Sequence, residues 1–299
     1  MPEITIISGK GGTGKTSITA SFARLAENLI ICDLDVDAPD LHLLLRPEIL
    51  ETHEFRAGHT AVINAEACGG CTICIEACRF DAISSGTDTP RIDESACEGC
   101  GVCAHFCPDD AISMHERHAG NWFRSQTPTA PMIHGELYPG SENSGLLVST
   151  LRRVAKAESE ASGRHLILAD GPPGIGCPVI SSISTTDFVV LVTEPTLSGV
   201  HDLERAVDLC AHFERPAGVI INKADLDPTC GNEISRLCAM HHLPILARIP
   251  FDKIVVDALT SGLTMVDLGT HPIAQATRTA WRNVLRAVTE SRRVEPVLS

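Results

Sequence analysis

The sequence lacks a run of eighteen consecutive apolar residues, roughly the shortest stretch that crosses a membrane as a helix. At its start it also lacks the basic segment and the apolar segment that together make a secretory signal peptide. It enters a predicted strand almost at once instead, with Ile4-Thr5-Ile6-Ile7. From these absences we expect no integral membrane segment and a location in the cytoplasm.

An excess of positive charge is also missing. The 299 residues include 24 Lys and Arg against 38 Asp and Glu, which gives a formal net charge of −14 at pH 7. A surface this acidic repels the phosphates of nucleic acids, and no local cluster of basic residues offsets the repulsion. We therefore expect no nucleic-acid partner.

Cysteine, by contrast, is abundant, with 13 residues. Disulfides are disfavoured in the cytoplasm, so cysteines in this number indicate metal ligation or redox chemistry. Eight of the 13 fall between residues 68 and 107, which concentrates that chemistry in one short stretch.

A glycine-rich segment after the first predicted strand has the order Gly-x-x-x-x-Gly-Lys-Thr, which is typical of loops that bind nucleotide phosphates. Its glycines let backbone N–H groups approach the phosphate oxygens, and the following helix N-terminus adds a favourable dipole. We expect Lys15 to reach the β- and γ-phosphates and the Thr16 hydroxyl to bind Mg²⁺. The predicted phosphate site comprises Gly9, Lys10, Gly11, Gly12, Thr13, Gly14, Lys15 and Thr16.

Short apolar runs alternate with amphipathic segments along most of the chain. This alternation predicts a doubly wound α/β fold of the P-loop NTPase type, with a mostly parallel sheet covered by helices on both faces. Carboxylates at the ends of two runs, Asp33 with Asp35 and Asp170, lie where such sheets bind ligands. The apolar runs begin at residues 4, 29, 165, 188, 217 and 245.

The alternation stops from about residue 60 to 117, where Cys, Gly and Asp are dense and helical periodicity is weak. We therefore predict a small α+β domain at 60–117, inserted into an α/β domain formed by 1–59 and 118–299. Residues 41–58 are predicted to form a short helix and a link. Residues 118–145 are rich in Pro, Gly and Ser and are predicted to form a loop, with or without an edge strand.

The inserted stretch contains the spacing C-x₂-C-x₂-C-x₃-C twice, 29 residues apart. This spacing is the bacterial ferredoxin signature, in which three cysteines of one run and the fourth of the other bind one cluster. Two C-x₂-C pairs also suit zinc, but two matched runs, the second of which ends in Cys107-Pro108, favour two [4Fe–4S] clusters. Arg79 replaces the proline that usually follows the first run. The predicted quartets are Cys68, Cys71, Cys74 and Cys107 for one cluster, and Cys97, Cys100, Cys103 and Cys78 for the other.

The extra Lys10 makes the loop Lys-Gly-Gly-x-Gly-Lys-Thr, which resembles the phosphate loop of the MinD/ParA ATPases. That group includes the nitrogenase iron protein and the Mrp-type cluster carriers. The resemblance covers about 240 residues, roughly 1–60 and 118–299, and implies ATP bound between two subunits, either identical or close paralogues. It also implies that Lys10 acts across the interface on the partner's nucleotide.

The same resemblance assigns roles to residues at the ends of the predicted strands. Asp33 would organise Mg²⁺ and its waters, and Asp35 would position the water that attacks ATP. Asp170, before Gly171-Pro172-Pro173-Gly174, would hold a Mg²⁺-bound water, and Asn222 would contact adenine. The implied activity is hydrolysis of ATP to ADP and phosphate, slow without a partner, with Lys10, Lys15 and Asp35 as catalytic residues.

An ATPase of this group with an inserted ferredoxin resembles the MinD-superfamily ATPases that are encoded with the orange-protein complex. Cys177 follows the Asp170 loop, near where the nitrogenase iron protein carries a ligand to a subunit-bridging cluster. It is therefore a candidate bridging ligand, but the paired C-P-x-C of Mrp-type carriers is absent, and a packed thiol is the alternative.

The combination predicts an ATPase that couples a nucleotide-dependent dimer to electron transfer or cluster handling for a redox or cluster-client partner. One alternative is a positioning or regulatory switch of the MinD/ParA kind whose clusters sense redox state. Membrane-cycling members carry an amphipathic C-terminal helix, whereas this tail is amphipathic only in part and ends in Pro-Val-Leu-Ser. A further alternative is an iron–sulfur scaffold or carrier.

Overall fold

Within residues 2–294, which the computed structural model describes, nine strands form one sheet in the order β11-β10-β9-β1-β8-β2-β7-β6-β3. Two further strands, β4 and β5, pair in antiparallel fashion. The strands are β1 (Glu3–Ser8), β2 (Leu29–Asp33), β3 (Glu48–Ile63), β4 (Ile83–Ser84), β5 (Arg91–Ile92), β6 (Ile112–Gln126), β7 (Pro131–Leu137), β8 (Leu166–Pro173), β9 (Phe188–Thr193), β10 (Ala217–Asn222) and β11 (Ile245–Ile249).

Helices follow most of the strands of the large sheet. They are α1 (Lys15–Leu25), α2 (Leu41–Leu45), α3 (Ile73–Ala77), α4 (Val102–His105), α5 (Ser144–Ser162), α6 (Cys177–Ile183), α7 (Leu197–His212), α8 (Pro228–Met240), α9 (Lys253–Thr260) and α10 (Pro272–Val294), with a 3₁₀ turn at Met265–Leu268. No helix in this part of the chain is both long enough and apolar enough to cross a membrane.

Seven strands from β11 to β7 pair in parallel, with β1 between β8 and β9. Alternate residues of β9 enter different apolar clusters, Val190 on one face of the sheet and Val189 on the other. Side chains alternate across a strand, so a strand with both faces covered must be apolar throughout. The predicted mostly parallel α/β fold of the P-loop NTPase type is confirmed.

The chain divides into two compact units. The first unit comprises the residues up to 53, Trp122–Glu136 and the residues from 144 onward. The second unit comprises Glu54–Asn121 and Leu137–Asn143, and the chain passes between the units within β3, β6 and β7.

Two stretches differ from their predicted local structure. Residues 48–58 belong to β3 rather than to a link, and most of residues 118–137 belong to β6 and β7 rather than to a loop. β3 and β6 carry many polar and half-exposed side chains, so no apolar run marks them in the sequence, whereas β7 is mostly buried but short and interrupted by His134 and Gly135. Their strand conformation depends on pairing with neighbouring strands, which local composition does not reveal.

The last helix, α10, packs its apolar face into the core of the first unit. Trp281 is only 6% exposed, and its ring centroid lies 5.0 Å from that of Phe22 on α1. Val284 is fully buried in the same cluster. The apolar face of α10 is therefore used inside the protein, while the Pro-Val-Leu-Ser end noted in the sequence lies outside the described residues.

A candidate nucleotide site and two cysteine cavities

The glycine-rich loop leaves β1 after Ser8 and enters α1 at Lys15. Gly14, the residue before the helix, has φ of +91°, a conformation that L side chains rarely adopt. A Cβ at this position would also lie 2.3 Å from Nδ2 of Asn222. Glycine is required here both for its backbone conformation and for the close approach of β10.

Lys15 lies among carboxylates at the C-terminal edge of the sheet. Its Nζ is 3.1 Å from Oδ2 of Asp170 and 3.3 Å from Oδ2 of Asp35, and the side chain is 6% exposed. Burial alone would lower the pKa of Lys15, but Asp170, Asp35 and Asp33 together raise it. The lysine is therefore held in its charged form, as a phosphate-binding cation must be.

Asp170 also receives hydrogen bonds from the first turns of α1. Thr16 Oγ1 donates to its Oδ2 and Thr19 Oγ1 to its Oδ1, both at 2.8 Å. The structure thus places Thr16, whose hydroxyl is predicted to bind Mg²⁺, beside Asp170, whose carboxylate is predicted to hold a Mg²⁺-bound water. Thr19 was not predicted, although its place three residues after Thr16 puts the two on one helix face.

Asp33 is 1% exposed and accepts backbone N–H groups from Asp35 at 3.1 Å and Leu41 at 3.3 Å. Burial, followed by the charge of Asp170, raises its pKa well above the usual 3.8. Three carboxylates thus share one nearby ammonium group, that of Lys15. This excess negative charge suits a site completed by a divalent cation.

Asn222 and Lys223, after β10, tie that strand to the phosphate loop. Asn222 Nδ2 donates to the carbonyl oxygen of Thr13 at 2.7 Å, and Lys223 Nζ donates to that of Gly12 at 3.0 Å. Asp225, the last residue of the Asn-Lys-x-Asp segment, accepts the Phe251 N–H at 2.6 Å. One oxygen of its carboxylate is therefore engaged by the backbone.

A cavity of about 590 Å³ opens beside these residues, part of it continuous with solvent. One wall is the phosphate loop with Asn222, and the other is an apolar segment that runs from Ile249 to Met265. An apolar cavity next to a phosphate-binding loop suits a nucleotide base. The apolar wall was not predicted, because its residues come together only through the fold of β11, α9 and the 3₁₀ turn.

Lys10 lies at the edge of the same site. Its Nζ is 2.9 Å from Oε1 of Glu194, the residue after β9 in the same chain. The phosphate loop also contains a buried polar atom, Oγ1 of Thr13, that has no hydrogen-bond partner among the described residues. An unpaired donor inside a phosphate loop fits an oxygen-rich ligand.

Cys177 is exposed at the first residue of α6, where it is accessible. The four other cysteines outside the repeats are buried, and burial raises the pKa of each of those thiols. The pKa reaches about 12 for Cys210 and about 11 for Cys238. The four are Cys32, Cys210, Cys230 and Cys238. None of these four cysteines lines either of the two cavities described below, so packing explains these buried thiols.

In the second unit, the two cysteine runs adopt the same backbone conformation. Gly70 and Gly99 occupy equivalent positions with φ of 73° and 63°, and Thr72 and Gly101 with φ of 66° and 75°. The N–H groups of Cys68 and Cys97 bond the equivalent carbonyl oxygens of Asn64 and Asp93 at 3.1 and 3.0 Å. The sequence repeat is therefore also a structural repeat.

Each of two cavities in the second unit is lined by four cysteines. One encloses about 310 Å³ of empty volume and the other about 340 Å³, each partly open to solvent. The first is lined by Cys68, Cys71, Cys74 and Cys107, and the second by Cys97, Cys100, Cys103 and Cys78. Three cysteines of one run therefore share a cavity with the fourth cysteine of the other run.

The surroundings of the two cavities are otherwise mainly apolar. Ile63 and Ile112 line the first, and Ala61, Ile83 and Met114 line the second. Across residues 2–294, no three His, Cys, Asp or Glu side chains converge as they would around a single metal ion.

Comparison with known proteins places this arrangement in context. The family model of the CobQ/CobB/MinD/ParA nucleotide binding domain matches residues 4–265. An uncharacterized protein of Methanocaldococcus jannaschii is 34% identical over 268 residues, which cover 89% of this chain and 90% of that protein. An iron-sulfur cluster carrier protein of Pyrococcus abyssi is 22% identical over 296 residues, which cover 92% of this chain and 82% of the carrier.

Among solved structures, the septum site-determining protein MinD of Pyrococcus horikoshii, complexed with Mg-ADP, is similar with a TM-score of 0.58. It is 17% identical, and the match covers 97% of this chain and 98% of that one. The cell division ATPase MinD of Pyrococcus furiosus has a TM-score of 0.56 at 17% identity, with 95% and 98% covered. At these identities the similarity shows the shared fold.

Proposed function

This chain belongs to the CobQ/CobB/MinD/ParA family of P-loop ATPases, and from that premise we propose that it is an iron–sulfur ATPase. ATP binding and hydrolysis in a dimer would be coupled to electron transfer or to iron–sulfur cluster handling for a partner protein. The observation that carries this proposal is the division of eight cysteines into two cavities of four.

The donors in the two cavities fit [4Fe–4S] clusters. Each iron of such a cluster takes one cysteine thiolate, so the four ligands stand around the cluster and do not converge on one point. The crossed membership of the cavities, with Cys107 beside the first run and Cys78 beside the second, is the arrangement of two-cluster ferredoxins. When bound, the clusters would supply one-electron redox chemistry at low potential.

The chain's own residues would perform the ATPase step at the edge of the large sheet. Lys15 would bind the β- and γ-phosphates, replacing its contacts with Asp170 and Asp35. Thr16, released from its hydrogen bond to Asp170, would bind Mg²⁺ together with phosphate oxygens. Asp35, freed from Lys15, would orient the attacking water, while Asp33 and Asp170 would hold waters bound to Mg²⁺.

The base would enter the cavity between Asn222 and the apolar wall from Ile249 to Met265. The amide nitrogen of Asn222 already donates to the Thr13 carbonyl oxygen, so its amide oxygen is the atom left to accept a hydrogen bond from the base. An adenine amino group would be a suitable donor to that oxygen. Asp225 is not among the residues that line this cavity, so the acidic residue that guanine-binding sites use lies outside its wall.

A cluster carrier is the second candidate function, and it is favoured by the similarity to proteins named as iron-sulfur cluster carriers. In that case, ATP hydrolysis would time cluster release rather than electron transfer. A membrane-cycling form of the MinD-like switch would not use the apolar face of α10, since that face packs in the core of the first unit.

Anaerobic purification followed by iron, sulfide and EPR analysis tests the proposal. We expect about eight iron and eight sulfide per chain, and EPR signals of reduced [4Fe–4S] clusters. Zinc in place of iron, or iron without acid-labile sulfide, would overturn the proposal. Cys210→Ser, which removes a buried thiol outside the repeats, is the matched control and should retain all the iron.

Incubation with MgATP and an apo-acceptor protein separates the two candidate functions. Stable clusters whose midpoint potentials shift with MgATP would support electron transfer. ATP-dependent loss of clusters to the acceptor would instead support the carrier.

Liposome sedimentation with ATP tests the switch, which predicts that the protein pellets with the vesicles. A Cys177→Ser variant in the same series reveals whether that thiol binds further iron.

A further inference from the structure

Lys10 is bound within its own subunit by three groups of one loop. Its Nζ lies 2.9 Å from Oε1 of Glu194 and donates to Oγ of Ser198 at 2.8 Å and to Oγ1 of Thr196 at 3.2 Å. All three partners lie between the end of β9 and the first turn of α7. The lysine side chain is nevertheless 28% exposed, so a competing anion has access to it.

The groups that hold Lys10 are themselves fixed. Thr196 is the N-cap of α7 and accepts the Gly199 N–H at 3.0 Å. A Cβ at Gly199 would lie 2.2 Å from the carbonyl oxygen of Glu194, so the two backbones are in close contact. The loop is therefore a rigid frame, and the contacts of Lys10 need little ordering of their partners.

Glu194 holds a second lysine with its other oxygen. Its Oε2 lies 2.7 Å from Nζ of Lys223, which donates to the carbonyl oxygen of Gly12 in the phosphate loop. Burial alone would raise the pKa of Glu194, but hydrogen bonds from Lys223 and Lys10 lower it. Glu194 is thus a charged carboxylate, 12% exposed in its side chain, that contacts both Lys10 of the phosphate loop and Lys223, which is bonded to that loop.

We propose that Glu194 is a positioning residue that retains Lys10 in its own subunit until the nucleotide of a second subunit competes for it. This inference rests on the proposed ATP-sandwich dimer, in which Lys10 acts on the partner's nucleotide. Glu194 touches neither nucleotide nor attacking water in this arrangement and acts through Lys10.

The consequence is a barrier to productive pairing that is independent of ATP affinity. A subunit whose Lys10 is retained must exchange an ion pair and two hydrogen bonds for contacts across the interface. When only a fraction of subunits is competent and both subunits of a pair must be, the apparent dissociation constant of the dimer rises by the inverse square of that fraction. Weakening the retention should therefore lower the protein concentration at which the ATPase becomes active.

The experiment measures ATPase rate per subunit against protein concentration at saturating MgATP. For Glu194→Gln we expect the half-maximal concentration to fall about tenfold, since a hydrogen bond to a charged group is replaced by one to a neutral group. The kcat at high protein concentration and the KM for ATP should stay within about twofold of wild type. Ser198→Ala, which removes one Lys10 contact and leaves Lys223 in place, should shift the half-maximal concentration about threefold in the same direction.

Two further variants identify the cause. Glu204→Gln alters an exposed glutamate of α7 that has no ion pair or hydrogen bond in the described part of the chain, and it should behave as wild type. Lys223→Met removes the other lysine held by Glu194 without touching Lys10. If Lys223→Met reproduced the shift of Glu194→Gln, the effect would come through the phosphate loop, and the proposal would be wrong.

The remaining outcomes separate this inference from the proposed function. Suppose that the wild-type rate depends on protein concentration and that Lys10→Ala is inactive. An unchanged half-maximal concentration in Glu194→Gln would then overturn the retention of Lys10 by Glu194 but leave the proposed dimer standing. A wild-type rate independent of protein concentration, with an active Lys10→Ala, would overturn the dimer itself. Light scattering with a non-hydrolysed ATP analogue reports the same shift as dimer mass.

Discussion

Lys15 and Asp170 form an ion pair in the nucleotide site, with Nζ 3.1 Å from Oδ2. The same Oδ2 atom accepts the hydroxyl of Thr16, the residue proposed to bind Mg²⁺. This single carboxylate oxygen therefore engages both groups that would bind the phosphates and the metal ion. In the proposed function, nucleotide binding exchanges these contacts, which links the strand end at Asp170 to the state of the site.

The first prediction concerns Lys15. Replacing it with alanine removes the ammonium group that compensates three buried carboxylates, so phosphates would meet uncompensated negative charge. We expect ATP affinity to fall by about thirtyfold or more, as when one partner of a buried charge pair is lost. Titration with a fluorescent ATP analogue measures the change.

Lys156→Ala, an exposed change on α5, is the control for Lys15→Ala and should bind ATP as wild type does. Iron content should be equal in both variants, because the cysteine cavities lie in the second unit. Loss of iron together with ATP binding in Lys15→Ala would contradict the assignment of the two chemistries to separate units.

The second prediction separates backbone strain from close contact at Gly14. Gly14→Ala introduces a side chain at φ of +91° and a Cβ 2.3 Å from Nδ2 of Asn222, whereas Gly174→Ala has φ of +92° and nothing within 4 Å. Strain alone should destabilise Gly174→Ala by about 1–2 kcal/mol, and Gly14→Ala should lose more. Urea unfolding of both variants gives the difference.

The close contact at Gly14 is tested further by adding Asn222→Ala. This change removes the atom that the new Cβ would meet, so Gly14→Ala should be less destabilising in its presence than in its absence. Additive effects in the double variant would show that Asn222 is not the group that excludes a side chain at residue 14.

The third prediction is a gain in stability and a change in pH dependence on replacing Asp33 with asparagine. Because burial raises the pKa of Asp33, the folded chain binds more protons there than the unfolded chain does. The wild type therefore loses stability as pH rises from below 3.8 towards the raised pKa. Asp33→Asn lacks this loss and should be more stable at pH 7 by about 1 kcal/mol or more without nucleotide.

Urea midpoints for Asp33→Asn and wild type, measured from pH 4 to pH 8 without Mg²⁺ or nucleotide, check this sign. Their difference should grow with pH. Hydrolysis of ATP should fall in the variant, since a neutral amide organises Mg²⁺ and its waters poorly. A variant less stable than wild type across the whole range would mean that the Asp33 carboxylate is needed for its two backbone hydrogen bonds.

The fourth prediction tests the crossed membership of the cysteine cavities. Cys74→Ser and Cys107→Ser should each remove the same cluster, leaving about four iron atoms per chain, and the double variant should lose no more. Cys74→Ser combined with Cys103→Ser should leave almost none. Iron and sulfide analysis of anaerobically prepared variants decides this. If Cys74→Ser with Cys107→Ser lost both clusters, each run would instead bind its own cluster.

Much of the nucleotide site was predictable because its signals are local. The phosphate loop is a contiguous segment whose glycines allow the backbone to approach phosphate and whose lysines supply positive charge. It lies between β1 and α1, as predicted. Asp33, Asp35 and Asp170 were placed by a general rule, since parallel strands bring their carboxyl ends to one edge of the sheet. The structure gathers all three around Lys15.

Other parts of the site were not predictable, because they depend on residues far apart in sequence. Glu194 contacts Lys10 only because β9 is the neighbour of β1 in the sheet. The apolar wall of the base cavity comes from three separate elements, and none of them carries a recognisable motif. The contact of Asn222 with the base stays a prediction, but its hydrogen bond to the phosphate loop joins residues 209 positions apart, so no local signal marks it.

The sequence by itself determined the α/β fold and the two cysteine quartets, since periodic apolar runs and fixed cysteine spacings are properties of short segments. Only the tertiary structure decided that β3 and β6 extend the sheet, because half-exposed strands are defined by pairing rather than by composition. It also decided that Lys10 is held within its own chain, since long-range packing chooses which carboxylate a flexible lysine meets.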